Sequence, residues 1–510
     1  MTPPRRPTPA AGRGTGAADA TPGPRRGGGG ETIGPRPGGA KTTGHRPSGA
    51  ETAGRAVAVC GDVGSTYTKL LAVDLATGTV AGSAEHRTTV EVDVLRGYDA
   101  CLAALAEQLP GVDLSAQYVC SSAGGGLRLA VVGYEPLVTA DAGHRVGLSA
   151  GARVVHVAAG PLDTAGVRAL RAAKPDVVLL VGGTDGGDAA VLTHNAARLA
   201  GTRLRVPVVA AGNADAAAAV AQRLADAGVP VTVTDNVLPR IGQLNPAPAR
   251  AAIRQVFLSH VIGGKKLSRG ARFPRLVRAA TPDAVLAGVE LLADGAGEIP
   301  GAGEILAVDV GGATTDVYSV LVPDAERDGP RREVAGTLWR SRTVEGDLGM
   351  RWNAPGILAA ARDERLLTDD EVAALAGDAD RRAAQPGLLP DSDADRDVDR
   401  RLAGLALHVA LRRHARGQRR ADGSRGPGRD LRQVRLVVGS GGVLRHDENA
   451  ATVLSAALTD HAGGYPLPTR AASVVDHRYV LAAVGLLATD APTTAARLAA
   501  HHLTDLAVTR

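Results

Sequence analysis

The chain of 510 residues is too long for one compact core, so we expect two or more domains. Aromatic residues make up only 2% of it, which argues against a surface that stacks the bases of single-stranded nucleic acid. Residues 1–55 hold nine basic and three acidic side chains, so the rest of the chain carries −1 and offers no basic footprint for nucleic acid.

Three cysteines, Cys60, Cys101 and Cys120, are scattered without a CxxC spacing. This pattern argues against a disulfide framework, a zinc ribbon or an iron–sulfur site within one chain, and it fits a reducing cytoplasm. No apolar run approaches the ~20 residues that a membrane-spanning helix needs. The Arg pair near the N-terminus is not followed by an apolar segment, so we expect a cytoplasmic protein without a secretory signal.

The pattern of elements predicts an α/β protein behind a disordered tail. Residues 1–54 are mainly Pro, Gly, Ala, Thr and Arg, which cannot offset the entropy cost of folding. A hairpin is predicted at 56–75, and strand and helix patterns then alternate, which favours a mainly parallel sheet. An amphipathic helix at 247–268 precedes a second hairpin at 305–320, and 364–432 is charged and predicted as exposed helices. The chain closes with a buried strand and further helices.

One motif occurs twice. "DVGSTYTK" at 62–69 and "DVGGATTD" at 309–316 share Asp, Val, Gly and a later Thr, lie 247 residues apart, and each joins two apolar strands. Glycine lets backbone N–H groups approach an anion closely, and hydroxyl groups add donors. A phosphate chain gripped from both sides by such turns would be held in line for cleavage. We assign phosphate binding to Gly64, Ser65, Thr66, Gly311, Gly312, Thr314 and Thr315.

The acids at the two strand ends predict a metal and catalysis. Carboxylates beside phosphates repel them unless a cation intervenes, so Asp62 and Asp309 are expected to hold Mg²⁺ through water and to orient the attacking water. A third motif, "VVGSGGVLRH" at 437–446, ends a buried strand in small residues. Gly439, Gly441 and Gly442 would let an adenosine lie flat against the backbone.

Four further residues are candidate accessory groups. Lys69 reaches a phosphate or, because side chains alternate along a strand, points to solvent. Glu345 and Asp347 lie in "TVEGDLGMR", which is a loop near the nucleotide or an ordinary helix start. Asp185 lies in "VGGTDGGD", which is a ligand-facing loop or a tight turn between strand and helix.

With two hairpins and a glycine-rich strand end in this order, the chain resembles the actin, sugar-kinase and Hsp70-like ATPase superfamily. The resemblance implies two ribonuclease-H-like lobes with ATP and Mg²⁺ in the cleft between them. It places the first hairpin and an inserted α/β region in a lobe at 55–300, and the second hairpin and adenosine motif in a lobe at 301–510.

Seven motifs in order, among them "CSSAGGGLR", "NVLPRIGQLNPAPAR" and "TVEGDLGMR", resemble the glutamate mutase MutL family, also called methylaspartate mutase accessory proteins. This resemblance covers roughly 56–490. It implies an accessory, reactivase-like ATPase that serves an adenosylcobalamin-dependent mutase and is not itself the mutase. ATP binding follows from the wider superfamily, whereas the reactivase role is an analogy.

Alternatives of other classes remain open at this point. A small-molecule kinase of the same fold would need a general-base carboxylate, for which Asp185 or Asp188 are the candidates. An activator of a radical dehydratase would need an iron–sulfur cluster between subunits, for which only Cys120 qualifies. A filament-forming actin relative would need self-complementary surfaces, which a sequence does not reveal.

Overall fold

The computed structural model describes residues 56–124, 127–136, 138–202, 204–262, 267–322, 339–416, 428–460 and 462–504. Every described residue lies within one compact unit, Ser48–Arg510. The tail predicted at 1–54 therefore lies outside the described residues. Within the described ranges, no helix combines the length and apolarity that a membrane crossing requires.

Seventeen strands are found among the described residues. They are β1 (Val57–Val63), β2 (Tyr67–Asp74), β3 (Val80–Arg87), β4 (Gln117–Ser121), β5 (Arg128–Gly133), β6 (Arg153–Ala159), β7 (Val177–Leu180), β8 (Val208–Ala210), β9 (Val231–Val233), β10 (Val277–Ala280), β11 (Gly295–Ala296), β12 (Ile299–Pro300), β13 (Ile305–Val310), β14 (Thr315–Val320), β15 (Arg340–Glu345), β16 (Leu436–Ser440) and β17 (Ala472–Val475).

Fifteen α-helices accompany them in the same ranges. They are α1 (Val94–Gln108), α2 (Thr139–Ser149), α3 (Thr164–Ala172), α4 (Ala190–Ala200), α5 (Ala217–Asp226), α6 (Pro246–Val256), α7 (Arg272–Leu276), α8 (Thr281–Asp294), α9 (Ala354–Asp363), α10 (Asp369–Ala384), α11 (Asp393–Arg416), α12 (Gly442–His446), α13 (Ala450–Thr459), α14 (Val480–Leu487) and α15 (Pro492–Leu503). A 3₁₀ turn at Ala214–Ala216 and a π-helical turn at Phe257–Ile262 complete the set, and the second extends α6 as the amphipathic pattern predicts.

Two five-stranded sheets share one strand order. The first is β10-β4-β1-β2-β3 and the second is β15-β14-β13-β16-β17, so each has its hairpin strands on one side and parallel strands on the other. In both sheets the first two strands pair antiparallel, and the first strand pairs parallel with the fourth. Both predicted hairpins and the prediction of two ribonuclease-H-like lobes are confirmed.

A third sheet is inserted into the first lobe between β4 and β10. Its order is β6-β5-β7-β8-β9, and all of its pairs are parallel. The alternating strand and helix pattern predicts this arrangement, because parallel strands need crossover helices. The boundary that we draw at residue 300 falls between this lobe's last strand, β10, and the first strand of the second lobe, β13.

The charged helices α10 and α11 are less exposed than their composition predicts. Arg382 is fully buried, and its guanidinium donates to Asp399 at 2.6 Å. Asp399 also accepts a hydrogen bond from Arg351 at 2.7 Å. Pairing makes this burial tolerable, because a buried charge is otherwise very costly. The prediction of exposed helices at 364–432 is therefore wrong for the face of α11 that carries Asp399.

One apolar core joins the two lobes. It contains side chains from β1, β2 and β4 of the first sheet, from β13, β14 and β16 of the second, and from α8, α14 and α15. Helices α8 and α14 approach closely because both have glycine at the crossing. A Cβ atom on Gly288 would overlap the carbonyl oxygen of Leu481, and one on Gly485 would overlap that of Ala284. Glycine is therefore required at this helix crossing.

We predict that Gly485→Ala destabilises the protein by about 1–3 kcal/mol, because the added methyl overpacks a backbone contact between the helices. The matched control is Gly377→Ala on α10, where a Cβ atom meets no neighbour within 4 Å. That change should stabilise the helix by about 0.5–1 kcal/mol. Denaturant unfolding measures the stability of both variants. A Gly485→Ala protein as stable as the wild type would contradict the close contact between α8 and α14.

Candidate functional site

The two repeated turns have the same backbone geometry. The Gly64 N–H donates to the Tyr67 carbonyl at 3.0 Å, and the Gly311 N–H donates to the Thr314 carbonyl at 2.9 Å. Each bond closes a four-residue turn between antiparallel strands. In the strand registers Asp62 lies opposite Lys69, just as Asp309 lies opposite its own partner seven residues later. The repeat seen in sequence is therefore a repeat of structure.

The tips of the two turns, one from each lobe, approach each other. A Cβ atom placed on Gly312 would lie 3.5 Å from Thr66 Oγ1, so the tips of the turns are near neighbours. Among the described residues, no backbone carbonyl accepts a hydrogen bond from the N–H groups at the tips, those of Ser65, Thr66, Gly312 and Ala313. Converging backbone N–H groups form a site that attracts anions.

The hydroxyl groups of the second turn are used within the protein. Thr315 is fully buried, and its Oγ1 donates to the Leu348 carbonyl at 2.7 Å, so this hydroxyl is already paired within the protein. Thr314 Oγ1 donates to the Asp316 carboxylate at 3.0 Å. Ser65 and Thr66 of the first turn are half-buried. The first turn therefore offers more side-chain donors than the second.

Asp62 is buried at the end of β1 and held by three donors. Thr281 Oγ1 donates to it at 2.5 Å, and the Tyr479 hydroxyl donates to its other oxygen at 3.1 Å. The Cys120 thiol adds a weak contact at 3.6 Å. These contacts fix the orientation of the Asp62 carboxylate at the base of the first turn.

Asp309 occupies the matching position in the second lobe under different electrostatics. Burial raises the pKa of its carboxyl to about 7, the Lys69 ammonium opposes this increase, and the carboxylates of Asp316, Asp62 and Asp476 add to it. Two carboxylates that share a site disfavour each other's charge. The two repeated acids are therefore chemically distinct, one held by donors and one surrounded by negative charge.

Lys69 points into the site and not to solvent. Its ammonium lies 3.4 Å from the centroid of the Tyr479 ring, and the residue is half-buried. Lys69 and Asp62 share a register position, so they lie on the same face of the sheet. The opposite lobe therefore contributes the Lys69 ammonium that lowers the pKa of Asp309.

The donor set fits a hydrated divalent cation. In the part of the chain that the structure describes, no group of three or more His, Cys, Asp or Glu residues could hold a metal ion by itself. Magnesium keeps several waters and is usually held by one or two carboxylates together with substrate phosphates. Asp62 and Asp309 meet that requirement, and a cation between them would offset the repulsion at Asp309.

The three glycines at the end of β16 differ in their surroundings. A Cβ atom on Gly439 would lie 3.0 Å from Leu454 and 3.2 Å from Leu444, so this glycine makes room for the core. Gly441 has a φ of +106°, and a Cβ atom there would overlap the Val310 carbonyl. Gly442 is exposed, with nothing within 4 Å of its Cβ position, and so offers an open face.

The loop that contains "TVEGDLGMR" supports the second turn through its backbone. The Met350 N–H donates to the Gly311 carbonyl at 3.0 Å, and the Arg351 and Trp352 N–H groups donate to the Gly312 carbonyl at 2.8 and 3.0 Å. These bonds fix the two carbonyls of the turn away from the opposite lobe. The loop therefore supports the backbone of the second turn.

The acids of that loop and of the insert already have partners. Arg413 donates to Glu345 at 2.8 Å and to both oxygens of Asp347 at 2.8 and 2.9 Å. Asp185 accepts from the Ala214 N–H at 3.0 Å and from Asn236 at 2.9 Å, in the loops that follow the inserted parallel strands. The geometry gives all three acids a role in holding loops.

Sequence reasoning missed three residues at the site: Thr281, Asp476 and Tyr479. Asp476 is buried and accepts the N–H groups of Val480 and Leu481 at 2.8 and 3.1 Å, so it caps α14. An Asp a few residues before an apolar helix is a cap signal that could have marked it. No local signal marks Tyr479 or Thr281, because their partner Asp62 is more than 200 residues away in sequence.

We predict a stability curve that depends on Asp309. Its ordinary pKa of 3.8 is raised to about 7 in the fold, so the native state binds more protons between these values and stability falls as pH rises from about 4 to 7. Asp309→Asn should remove this loss and be more stable than the wild type above pH 7, on the order of 2–4 kcal/mol. The two proteins should converge below about pH 4.

Urea unfolding of the nucleotide-free proteins at several pH values measures this difference. The control is Asp163→Asn, which changes an exposed helix cap in the insert to a residue that caps equally well. If the Asp309→Asn and wild-type curves ran parallel from pH 4 to pH 8, the environment described for Asp309 would be incorrect.

Comparison with known proteins gives one family and several distant folds. The model of a family described as "MutL protein" matches residues 58–503. Protein MutL of Clostridium tetanomorphum is 36% identical over 453 residues, which cover 87% of this chain and 98% of that protein. The match thus spans both lobes and the insert.

Solved structures are much more distant. A ROK family glucokinase from Streptomyces griseus is 13% identical, with 87% of this chain and 98% of that chain covered and a TM-score of 0.29. A glycerol dehydratase reactivase is 12% identical, with 85% and 100% covered and a TM-score of 0.32.

Proposed function

Because the chain belongs to the MutL protein family, we propose that it is an accessory ATPase for an adenosylcobalamin-dependent mutase such as glutamate mutase. It binds ATP and Mg²⁺ between the two hairpin turns and does not itself carry out the mutase reaction. The observation that carries the proposal is the approach of the two turns, with the Cβ position of Gly312 only 3.5 Å from Thr66 Oγ1.

The triphosphate is gripped from both sides by backbone donors. The N–H groups at the tips of the two turns and the hydroxyls of Ser65 and Thr66 supply the donors, and Lys69 adds a positive charge. Preorganised donors of this kind act strongly on phosphate charge, because they need no reorganisation during the reaction. The adenosine lies against the open backbone at Gly441 and Gly442.

Asp62 and Asp309 have different roles in the proposed reaction. Asp62, fixed by three donors, holds a cation through water at the first turn. A bound Mg²⁺ supplies neutralisation of phosphate charge. Asp309, whose carboxyl interacts with the charges of Asp62 and Lys69, is suited to orient the attacking water and accept its proton. This division explains why the chain keeps two acids in such different surroundings.

Coupling to a partner follows from the core between the lobes. Both sheets pack on α8, α14 and α15, so a ligand that draws the turns together acts directly on this shared core. Lobe closure around a nucleotide is an established way to change a protein's outer surface. In this proposal the mutase subunits bind the surface of the closed form, and ATP hydrolysis returns the protein to the open form.

The alternative functions are less well supported. A kinase would need Asp185 or Asp188 as a base, but backbone N–H groups already hold Asp185 and Asp188, the latter at 2.8 Å from Ala190. An iron–sulfur activator would need an accessible thiol, and Cys120 is fully buried against Asp62. Its burial also raises the thiol pKa well above its ordinary value. The geometry therefore favours the ATPase.

We predict that Asp309→Asn lowers ATP turnover by about 100-fold or more while ATP binding persists, because the proton acceptor is lost and the phosphate donors remain. Turnover is measured with and without the mutase, and nucleotide binding by calorimetry. Asp163→Asn serves again as the control and should keep turnover within about twofold. Undiminished turnover in Asp309→Asn would contradict the role of Asp309.

We predict nucleotide-dependent association with the mutase. Tagged wild-type protein should retain mutase subunits from a purified mixture more strongly with ATP than with ADP, because the closed form is the binding form. Asp309→Asn should retain them under ATP for longer than the wild type, since it does not hydrolyse the nucleotide. Equal recovery with ATP, ADP and no nucleotide would argue against a coupled partner.

A further inference from the structure

Tyr479 has a strained backbone at the entrance to α14. Its φ is 57° and its ψ is 45°, which is the left-handed conformation. For a bulky residue other than glycine this conformation is an outlier, and such outliers persist only where the surroundings enforce them. The side chain that this backbone directs inward is therefore the feature to explain.

The turn that carries Tyr479 is anchored within the second lobe. The Asp476 N–H donates to the Gly439 carbonyl at 2.8 Å, and the Tyr479 N–H donates to the Asp476 carbonyl at 3.2 Å. The Asp476 carboxylate then accepts the N–H groups of Val480 and Leu481. These bonds attach the turn to β16 at one end and to α14 at the other.

The side chain of Tyr479 makes both of its specific contacts with the first lobe. Its hydroxyl donates to Asp62 Oδ2 at 3.1 Å, and its ring lies 3.4 Å below the Lys69 ammonium. Asp62 and Lys69 are cross-strand neighbours on β1 and β2. One side chain of the second lobe thus holds the carboxylate and the ammonium of the first.

We infer that Tyr479 is a positioning residue that clamps the Asp62–Lys69 pair from the opposite lobe and keeps the Lys69 ammonium over its ring until phosphate arrives. The inference rests on the proposed function for its link to ATP, but not for the clamp itself. A cation over an aromatic ring is stabilised without losing its charge, so it is released to a phosphate more easily than from a carboxylate.

The clamp also keeps Lys69 from a direct ion pair. The carboxylates of Asp309 and Asp476 both interact with the Lys69 charge, and either would compete for it if the ring were removed. An ammonium paired with a buried carboxylate would be a poor phosphate ligand. The ring of Tyr479 therefore orients the Lys69 ammonium, and its hydroxyl orients the Asp62 carboxylate.

Reductive methylation of the nucleotide-free protein tests the clamp without any use of ATP. Peptide mass spectrometry gives the rate of methylation at Lys69, which is divided by the rate of methylation at the exposed Lys174. Tyr479→Leu should change the ratio of the two methylation rates by about fivefold, because Lys69 loses its contact with the ring. Tyr479→Phe keeps the ring and should therefore keep the ratio within about twofold of the wild-type value. Tyr465→Leu, which removes a ring elsewhere in the second lobe, should leave it unchanged.

An unchanged ratio in Tyr479→Leu, or an equal change in Tyr479→Phe and Tyr479→Leu, would overturn the clamp. A second arm measures MgATP binding by calorimetry. Tyr479→Phe should weaken it by about three- to tenfold, because Asp62 loses its orienting donor. Equal affinity in Tyr479→Phe and wild type would overturn the role of the hydroxyl. Absence of MgATP binding in the wild type would instead refute the proposed function, and the methylation ratio would still decide the clamp.

Discussion

Repulsion between buried carboxylates is the constraint on which the rest of this structure depends. Asp62 and Asp309 end two strands whose other residues are apolar and buried, and further acids lie close to Asp309. A cluster of negative charge in such surroundings is costly unless donors or cations offset it. The protein offsets part of the cost with Thr281 and Tyr479 at one acid and with Lys69 near the other.

The duplicated turns are equal in backbone and unequal in chemistry. The position occupied by Lys69 in the first lobe is occupied by Asp316 in the second, where Arg342 donates to it at 2.8 Å. The first turn also has two hydroxyl residues at its tip, whereas the second has glycine and alanine and is fixed from behind by the backbone of 350–352. A symmetrical frame thus holds two turns with different side chains.

The sequence predicts the frame because its signals are local. Two apolar runs around a Gly-rich turn identify each hairpin, and the shared Asp and Gly positions identify the repeat. The direction in which a side chain points from its strand is harder to predict from sequence. Thr315 begins β14 next to Asp316, and since neighbouring strand residues face opposite sides, only one of them can face the site. The surroundings of Gly439 are equally hard to predict, because the leucines beside it follow later in the chain.

Contacts between the lobes lie beyond sequence reasoning. Tyr479 stands in an apolar helical pattern, and its partners Asp62 and Lys69 are more than 400 residues earlier. The buried pairs of Arg382 and Asp399 are similarly hidden in a segment whose composition indicates an exposed surface. In each case a polar side chain is buried because it pairs with a specific residue of another element. The composition of the segment does not predict that partner.

Hydrogen exchange at the two turns, with and without MgATP, tests the central claim most directly. The account predicts that the N–H groups of 64–67 and 311–314 become protected together when nucleotide binds, while the exposed loop at 185–188 in the insert does not change. Protection of one turn alone, or of neither, would contradict a site gripped from both lobes.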